Sequence, residues 1–242
     1  MVLLNSRYIK KLFSKVRGKY YLLKYSSLIM GSSAWLIATE LKYGGMVTNV
    51  KRQKVSPWDP RTIQQVEAGG MTGGDRMLHH GYAIKYSEFL GPYIRNNEPV
   101  VMVEFGILKG TGLAVWCDLF KNGRIIGLDI DLHHIERNRE NLLALGAFRH
   151  NDYEIYEFDQ FLDNQRYLGK ILNREKVDIC IDDGFHSNKS IITTMKSVVP
   201  YLNRKFLYIV EDNDQVHKDI EMEFPDFAVQ SFGKLTIIRN QE

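Results

Sequence analysis

The feature that most constrains the fold is a regular alternation, from Val100 onward, of short apolar runs with amphipathic stretches. Apolar β-branched runs of this length predict buried strands, and helical stretches between them predict a parallel sheet covered by helices on both faces. We expect strands at residues 100–105, 124–129, 153–158, 177–182 and 205–212, and helices at 111–120, 133–145, 160–172, 187–202 and 215–223. Two further runs, 227–232 and 234–240, meet at Gly233 and predict an antiparallel hairpin. The sequence therefore predicts an α/β fold with a seven-stranded, mostly parallel sheet.

A glycine-rich turn follows the first predicted strand. Gly106, Gly110 and Gly112 lie between the strand and the next helix, directly after Glu104. Glycine allows a tight turn and lets a ligand approach the backbone closely, and ligands of open parallel sheets bind at this end of the strands. The spacing differs from the dinucleotide fingerprint GxGxxG. The turn is compatible with a nucleoside ligand, and a simple strand-to-helix turn is the alternative.

Acidic residues follow the second and third predicted strands. Asp129 ends the second strand, where a carboxylate can accept hydrogen bonds from both hydroxyls of a ribose. Asp131 is its competitor, although its place just before a helix also suits an N-cap. Asp159 follows the third strand and could accept from an adenine amino group or cap the next helix. These positions predict a nucleoside-binding edge.

Four carboxylates follow the fourth and fifth predicted strands. Asp182 and Asp183 occur in DDGFH, and Glu211 and Asp212 occur in VEDND. Neighbouring strands lie about 4.8 Å apart, so we expect these side chains to converge. Crowded carboxylates repel one another unless a cation or protons neutralise them, and oxygen ligands without sulfur favour Mg²⁺, with Mn²⁺ or Ca²⁺ as alternatives. Helix capping and surface charge are the other interpretation.

His186 follows Asp183 by three residues, across Gly184. An imidazole titrates near neutral pH and can take a proton from a hydroxyl, whose own pKa a bound cation lowers. A purely structural histidine is the alternative. The combination of cation and base predicts chemistry on a substrate hydroxyl.

The first 54 residues carry a strongly basic charge. They contain eleven Lys or Arg and the single acid Glu40, whereas the other 188 residues sum to minus seven. This division indicates a basic arm on an acidic domain and argues against nucleic-acid binding throughout the chain. Ile9, Leu12, Phe13, Val16, Tyr20 and Leu23 have helical spacing, which predicts an amphipathic helix that docks on the chain's own core, on a second copy in a homo-oligomer, or on an anionic membrane surface.

The domain boundaries and the compartment follow from composition. We expect an arm at residues 1–54, a linker or loop at 55–75, and the catalytic or binding domain at 76–242. The apolar stretch at 28–41 is too short to span a membrane, and the order of charged and apolar segments does not match a signal peptide. Cys117 and Cys180 supply neither a disulfide framework nor a thiolate metal site. We expect a cytoplasmic protein, with peripheral membrane contact through the arm as an option.

Several segments resemble a known family once these motifs are placed side by side. VEFGILKGTGLAVWCDLF, GRIIGLDID, DICIDDGFH and LYIVEDND are similar to segments of the class I, Rossmann-like, metal-dependent sugar O-methyltransferases. That family includes the macrocin and mycinamicin O-methyltransferases, with rhamnosyl O-methyltransferases and the so-called cephalosporin hydroxylases as relatives. The resemblance covers residues 72–242. GGDRMLHHGYAIKYSEFL resembles the segment that helps to close the family's cofactor site, which suggests Asp75, His80, Tyr82 and Tyr86 as candidates there.

The resemblance implies a role for each matched residue. Asp183, Glu211 and Asp212 would bind Mg²⁺, and His186 would be the general base beside Asp183. The cofactor, S-adenosylmethionine, is expected at Glu104, Gly106, Gly110, Asp129, Asp159, Asp182 and Tyr82. Phe185 stands where the family usually has a small serine, which changes the shape expected of the acceptor pocket.

These observations predict an Mg²⁺-dependent enzyme that moves the methyl group of S-adenosylmethionine to a hydroxyl of a sugar or glycoconjugate. A catechol-type O-methyltransferase is one alternative, because Asp212-Asn213 also fits a cation-binding pair of that type. An iron-dependent hydroxylase would need two histidines and one carboxylate, and the sequence places only His186 for that. A membrane-associated binding module without catalysis is the alternative from another class.

Overall fold

The computed structural model describes residues 16–45, 74–96 and 98–241. The chain divides into two compact units that alternate along the sequence. The first comprises Met1–Asn97, Lys109–Leu119 and His133–Arg149, and the second comprises Glu98–Leu108, Phe120–Leu132 and His150–Glu242. Residues 55–73 of the predicted linker lie outside the described residues, so the three predicted segments stay predictions.

The second unit contains a seven-stranded sheet. Its strands are β1 (Val101–Phe105), β2 (Arg124–Asp129), β3 (Tyr153–Glu157), β4 (Val177–Asp182), β5 (Leu202–Val210), β6 (Phe227–Phe232) and β7 (Leu235–Asn240). They are arranged in the order β3-β2-β1-β4-β5-β7-β6. The first five strands pair in parallel, and β7 is antiparallel to both β5 and β6. The predicted mostly parallel sheet with its C-terminal hairpin is confirmed.

The described helices belong to both units. The first unit contains α1 (Ser33–Lys42), α2 (Ala83–Asn96), α3 (Thr111–Leu119) and α4 (His133–Ala144), and the second contains α5 (Gln165–Leu172), α6 (Asn188–Val198) and α7 (Val216–Glu223). Residues 16–23 are also helical. Short 3₁₀ turns occur at Tyr25–Ser27 and Val199–Tyr201. Each helix predicted between two strands is present.

The boundaries differ from the predicted ones where polar side chains or turns intervene. Helix α5 begins at Gln165 rather than at 160, because the Asp159 carboxylate accepts a hydrogen bond from the Phe161 amide and holds a separate turn. Helix α6 ends at Val198 in a 3₁₀ turn, and β5 begins at Leu202, three residues earlier than expected. Strand β5 ends at Val210, and Asp212 beyond it has a left-handed backbone with φ of +56°.

One face of the sheet is covered by α5, α6 and α7. Alternate residues of the strands pack there against three helices, as the two-residue period of a strand requires. The buried cluster contains Val103, Phe105, Ile126, Leu128, Cys180, Phe206, Tyr208, Val210 and Ile238 from the strands, and Leu168, Ile171, Leu172, Ile191, Met195, Val198, Val216 and Ile220 from the helices. This packing fixes the carboxyl ends of the strands, where the predicted site lies.

In the first unit, α1 packs against α2 and α3. Glu40 of α1 is buried, and its carboxylate accepts hydrogen bonds from the backbone amides of Arg76, Met77 and Leu78, at distances from 2.9 to 3.4 Å. Burial raises the pKa of Glu40 to about 7, although the Arg76 guanidinium and these amides act in the opposite direction. Glu40, the single acid of the basic arm, therefore holds the turn after residue 74 in place through hydrogen bonds.

The described part of the arm presents its apolar stripe to solvent. Val16, Tyr20 and Leu23 lie in the helical residues 16–23 and are 59%, 57% and 84% exposed. The stripe therefore does not dock on the chain's own core over these residues, and residues 1–15, with Ile9, Leu12 and Phe13, lie outside the described part. Contact with a membrane or with a second copy stays a prediction. Among the described helices, none has the length and hydropathy needed to span a membrane.

Candidate active site

The ends of β1, β4 and β5 bring the predicted acidic residues to one edge of the sheet. Phe105 pairs with Asp182, and Asp182 pairs with Val210. Beyond the last pairs, the Asp183 amide donates to the Phe105 carbonyl at 2.8 Å, and the Glu211 amide donates to the Asp182 carbonyl at 2.9 Å. Asp183 and Glu211 therefore leave neighbouring strands side by side.

His186 lies at this same edge in a strained conformation. Its backbone φ is +64°, a left-handed value that is costly for a residue with a side chain. The His186 Nε2 atom lies 3.9 Å from Asp183 Oδ1, which is beyond hydrogen-bond distance. Its Nδ1 atom is buried and has no hydrogen-bond partner among the described residues. The side chains of His186 and Asp183 are 32% and 26% exposed, so both are partly open to solvent.

Asn213 holds the loops after β4 and β5 together. Its side-chain amide donates to the His186 carbonyl at 2.9 Å and to Asn188 Oδ1 at 2.8 Å. Its Oδ1 accepts from the amides of Gln215 and Val216, each at 2.8 Å. All four bonds involve a side chain that is 8% exposed. Asn213 thus braces both loops, and its Oδ1, the atom that would face a cation in the catechol-type alternative, already accepts from two amides.

Asp182 belongs to a buried network, and its role in cofactor binding stays a prediction. The carboxylate is 1% exposed, accepts from Gln160 Nε2 at 2.8 Å and accepts from the Tyr208 hydroxyl at 3.2 Å. Burial raises its pKa, while Gln160, His186 and Tyr208 act to lower it. Gln160 Oε1 also accepts from the Phe185 amide at 2.8 Å. The network therefore supports the loop that carries Asp183 and His186.

The glycine turn after β1 packs against this same loop. Gly106 has a φ of +83°, and a Cβ atom there would collide with the carbonyl oxygen of Asp183 and with the Cα of Gly184. Asp129 Oδ2 accepts from the amides of Ile107 at 2.8 Å and Leu108 at 2.9 Å. Only glycine fits at position 106, and the Asp129 carboxylate fixes the shape of the turn.

The other predicted cofactor residues lie in varied surroundings. Glu104 is buried on β1, and Asp159 is partly exposed and forms the turn before α5. Asp131, the competitor of Asp129, donates its own amide to Asp129 Oδ1 at 3.2 Å. Gly110 and Tyr82 belong to the first unit, where Tyr82 is buried and stacks on His80 at 5.3 Å. The roles of Gly110 and Tyr82 stay predictions.

The donors at the strand ends fit a hard cation by their chemistry. Asp183, Glu211 and Asp212 offer carboxylate oxygens, the ligands that Mg²⁺ prefers. Within the described ranges, the one group of three His, Cys, Asp or Glu residues whose ligand atoms all lie within 4.8 Å of one another is instead Asp75, His79 and His80. The three carboxylates share an edge of the sheet but are more widely spaced than that group.

Sequence reasoning missed several residues of these networks. Gln160 is one residue beyond the predicted Asp159, and no pattern distinguishes it. His79 was passed over in favour of its neighbour His80. Glu40 could have been found, because a lone acid among apolar residues in a basic segment predicts a buried partner.

Comparisons with known proteins agree with this fold. No family model matches the chain. It is 25% identical over 148 residues to the 8-demethyl-8-alpha-L-rhamnosyl tetracenomycin-C 2'-O-methyltransferase of Streptomyces olivaceus, covering 58% of this chain and 35% of that protein. It is 28% identical over 142 residues to the mycinamicin VI 2''-O-methyltransferase of Micromonospora griseorubida, covering 55% and 31%. The chain spans about a third of the length of these curated relatives.

Solved structures give the same result. The chain superimposes on the MycE methyltransferase in complex with Mg, SAH and mycinamycin VI with a TM-score of 0.50 and 19% identity, over 74% of this chain and 58% of that chain. A second MycE structure, with Mg and SAH, gives a TM-score of 0.51 at 18% identity. The class I methyltransferase fold is confirmed, as is the sequence resemblance to sugar O-methyltransferases.

Proposed function

We propose that this chain is an S-adenosylmethionine-dependent O-methyltransferase that acts on a hydroxyl of a sugar or glycoconjugate with the help of Mg²⁺. The observation that supports this most directly is the meeting of Asp183, His186 and Glu211 at the ends of two paired strands. The curated relatives are named as sugar O-methyltransferases, and the MycE structure holds Mg and SAH. Together these findings favour methyl transfer to a sugar oxygen.

The cofactor would lie against the glycine turn after β1. A positive φ at Gly106 and the absence of a side chain leave the backbone open to close approach. Asp129, bonded to the amides of Ile107 and Leu108, holds the turn in one shape. Glu104, Asp129 and Asp159 remain our candidates for polar contact with the nucleoside, and Asp182 would support the loop beside it from the buried network.

His186 would act as the general base. In the reaction the acceptor oxygen forms a bond to the methyl carbon as the carbon–sulfur bond breaks, and the hydroxyl proton goes to His186 Nε2. The products are a methyl ether, S-adenosylhomocysteine and a protonated imidazole. Asp183 Oδ1 lies 3.9 Å from Nε2 on the same side of the ring. Asn213 and the left-handed backbone hold the imidazole in place.

Asp183, Glu211 and Asp212 would hold the cation. When bound, Mg²⁺ would lower the pKa of the acceptor hydroxyl and stabilise its developing negative charge. Glu211 leaves β5 beside Asp183, and Asp212 follows it directly, so the three carboxylates lie at one edge of the sheet. Carboxylate oxygens are the ligands that Mg²⁺ prefers.

Calorimetry with S-adenosylhomocysteine tests the cofactor part of the proposal. We expect stoichiometric binding by the native chain and weaker Mg²⁺ binding by Asp183→Asn with cofactor affinity retained. Failure of S-adenosylhomocysteine to bind, with or without Mg²⁺, would overturn the proposed function.

Transfer of a labelled methyl group tests the base. With simple methyl glycosides as acceptors and catechol as the competing class, His186→Ala should lose about a hundredfold or more in turnover. His150, an exposed histidine of the same unit, provides the matched control, and His150→Ala should retain native turnover. Equal turnover of both variants would remove His186 from the mechanism, and a preference for catechol would contradict the sugar assignment.

A further inference from the structure

The turn between residues 74 and 80 brings together two histidines and a carboxylate. One ligand atom from each of Asp75, His79 and His80 lies within 4.8 Å of the other two. His80 Nε2 is 3.2 Å from Asp75 Oδ2. We propose that this turn binds a divalent transition-metal ion, with Zn²⁺ as the expected occupant. The site is separate in residues and in chemistry from the carboxylates at the strand ends.

One ligand pair of the turn already has the spacing found around a single ion. Zinc binds histidine nitrogen and carboxylate oxygen at about 2.0–2.2 Å, so two ligands of a tetrahedral site lie about 3.4 Å from each other. The 3.2 Å separation of His80 Nε2 and Asp75 Oδ2 is already close to this value. The His79 ligand atom lies within 4.8 Å of both, so it would have to move closer when an ion binds. Two imidazoles and one carboxylate are a donor set that suits zinc or iron(II) and not Mg²⁺.

The backbone of the turn is already fixed. The His80 amide donates to the Asp75 carbonyl at 3.0 Å, and the Tyr82 amide donates to the Arg76 carbonyl at 3.2 Å. From the other side, the buried Glu40 carboxylate accepts from three successive amides of the same turn. Ligands held in place by the fold lose less conformational entropy when an ion binds.

Aromatic rings pack against the proposed ligands, which remain partly exposed to solvent. His79 and His80 meet edge to face at 4.9 Å, and Tyr82 stacks on the His80 ring at 5.3 Å. The His80 and Asp75 side chains are 15% and 13% exposed. An apolar wall on one side and limited access on the other are typical of protein metal sites.

Three protein ligands leave at least one coordination position open. Structural zinc sites have four protein ligands, whereas sites with three keep a position for water or a substrate. Two histidines and a carboxylate are also the donors that an iron-dependent hydroxylase would require, and the structure supplies them here although the sequence suggested only His186. We assign zinc as the occupant because two histidines, one carboxylate and one open position are a common ligand set of zinc in proteins.

Metal titration of the full chain tests this assignment. After treatment with a chelator, Zn²⁺ is added in saturating Mg²⁺, and binding is followed by calorimetry and by competition with a chromophoric chelator. We expect one ion per chain in the native protein. His79→Ala should weaken binding at least about tenfold, since even loss of a residue behind a ligand costs 10–100-fold. Co²⁺ absorption would report nitrogen and oxygen ligands.

A matched control comes from the second pair of adjacent histidines. His133 is exposed at the start of α4, beside His134, and His133→Ala should bind Zn²⁺ with native affinity. If His79→Ala folds poorly by circular dichroism, His79→Gln provides the same test with a side chain of similar size. Equal affinity in the native chain and in the folded His79 variant would overturn the proposal, as would loss of zinc in Asp183→Asn. Binding of S-adenosylhomocysteine by the same variants reports separately on the proposed function.

Discussion

Glu40 gives the sharpest test of the packing in the first unit. It is 2% exposed on α1, with three backbone amides and the Arg76 guanidinium as its compensating groups. Burial outweighs these groups and raises the pKa of Glu40 from 4.5 to about 7. We therefore expect the free energy of unfolding to depend on pH through this one residue, and Glu40→Gln to remove that dependence.

The sign and the size follow from the two pKa values. Between pH 4.5 and about 7 the folded chain holds a proton on Glu40 that the unfolded chain has released. Stability contributed by this proton is complete below pH 4.5 and is lost as the pH rises toward 7. A change of pKa from 4.5 to about 7 corresponds to roughly 3 kcal/mol. Glutamine cannot ionise in either state, so the variant gains up to this amount relative to the native chain.

Urea denaturation at closely spaced pH values from 4.5 to 8 measures the effect. As the pH rises, the free energy of unfolding of Glu40→Gln should increase relative to that of the native chain. This trend is expected whichever of the two is more stable at pH 4.5. Glu88→Gln is the control, because Glu88 on α2 has a side chain that is 55% exposed. If the curves for Glu40→Gln and the native chain run parallel over this range, Glu40 ionises normally in the folded chain and the reasoning is wrong.

Two further predictions concern the loops of the candidate site. Gly106→Ala should lower the free energy of unfolding by about 2 kcal/mol more than Gly233→Ala, since both glycines have a positive φ but only the Cβ at 106 would collide with Asp183. Thermal denaturation measures this, and equal losses would show that the loops are not packed as described. Asn213→Ala should cost about 2 kcal/mol in urea denaturation and should lower turnover while S-adenosylhomocysteine binding is kept, because His186 loses its brace. Native turnover in this variant would contradict the positioning role.

The strands were predictable because their apolar runs are long and regular. The parallel part of the sheet required only that such runs alternate with helices, and the antiparallel hairpin of β6 and β7 followed from the turn at Gly233. The ends of helices were harder to predict where a side-chain hydrogen bond determines the first residue of the helix. Asp159 holds a separate turn before α5, and nothing in the local pattern distinguishes that turn from the first turn of the helix.

The candidate site was predictable in outline but not in detail. The pairing of β4 with β5 places Asp183 and Glu211 on neighbouring strands, as expected from the sequence. The orientation of Asp182 could also have been inferred, because it shares the sheet face of Cys180, which packs in the core. Asn213 and Gln160 act across long sequence separations, so their bonds to the His186 carbonyl and the Phe185 amide depend on the folded chain and leave no local signal.

The backbone and the side chain of Phe185 have separate structural roles. Its backbone amide is fixed by Gln160, while its ring, 39% exposed, leans edge-on against Phe161 at 4.9 Å. Exchange of this ring alters the rim beside His186 without disturbing the hydrogen bond that holds the main chain. If the proposed function holds, this one aromatic position would tune which acceptor fits, while the main chain that carries Asp183 and His186 keeps its hydrogen bond to Gln160.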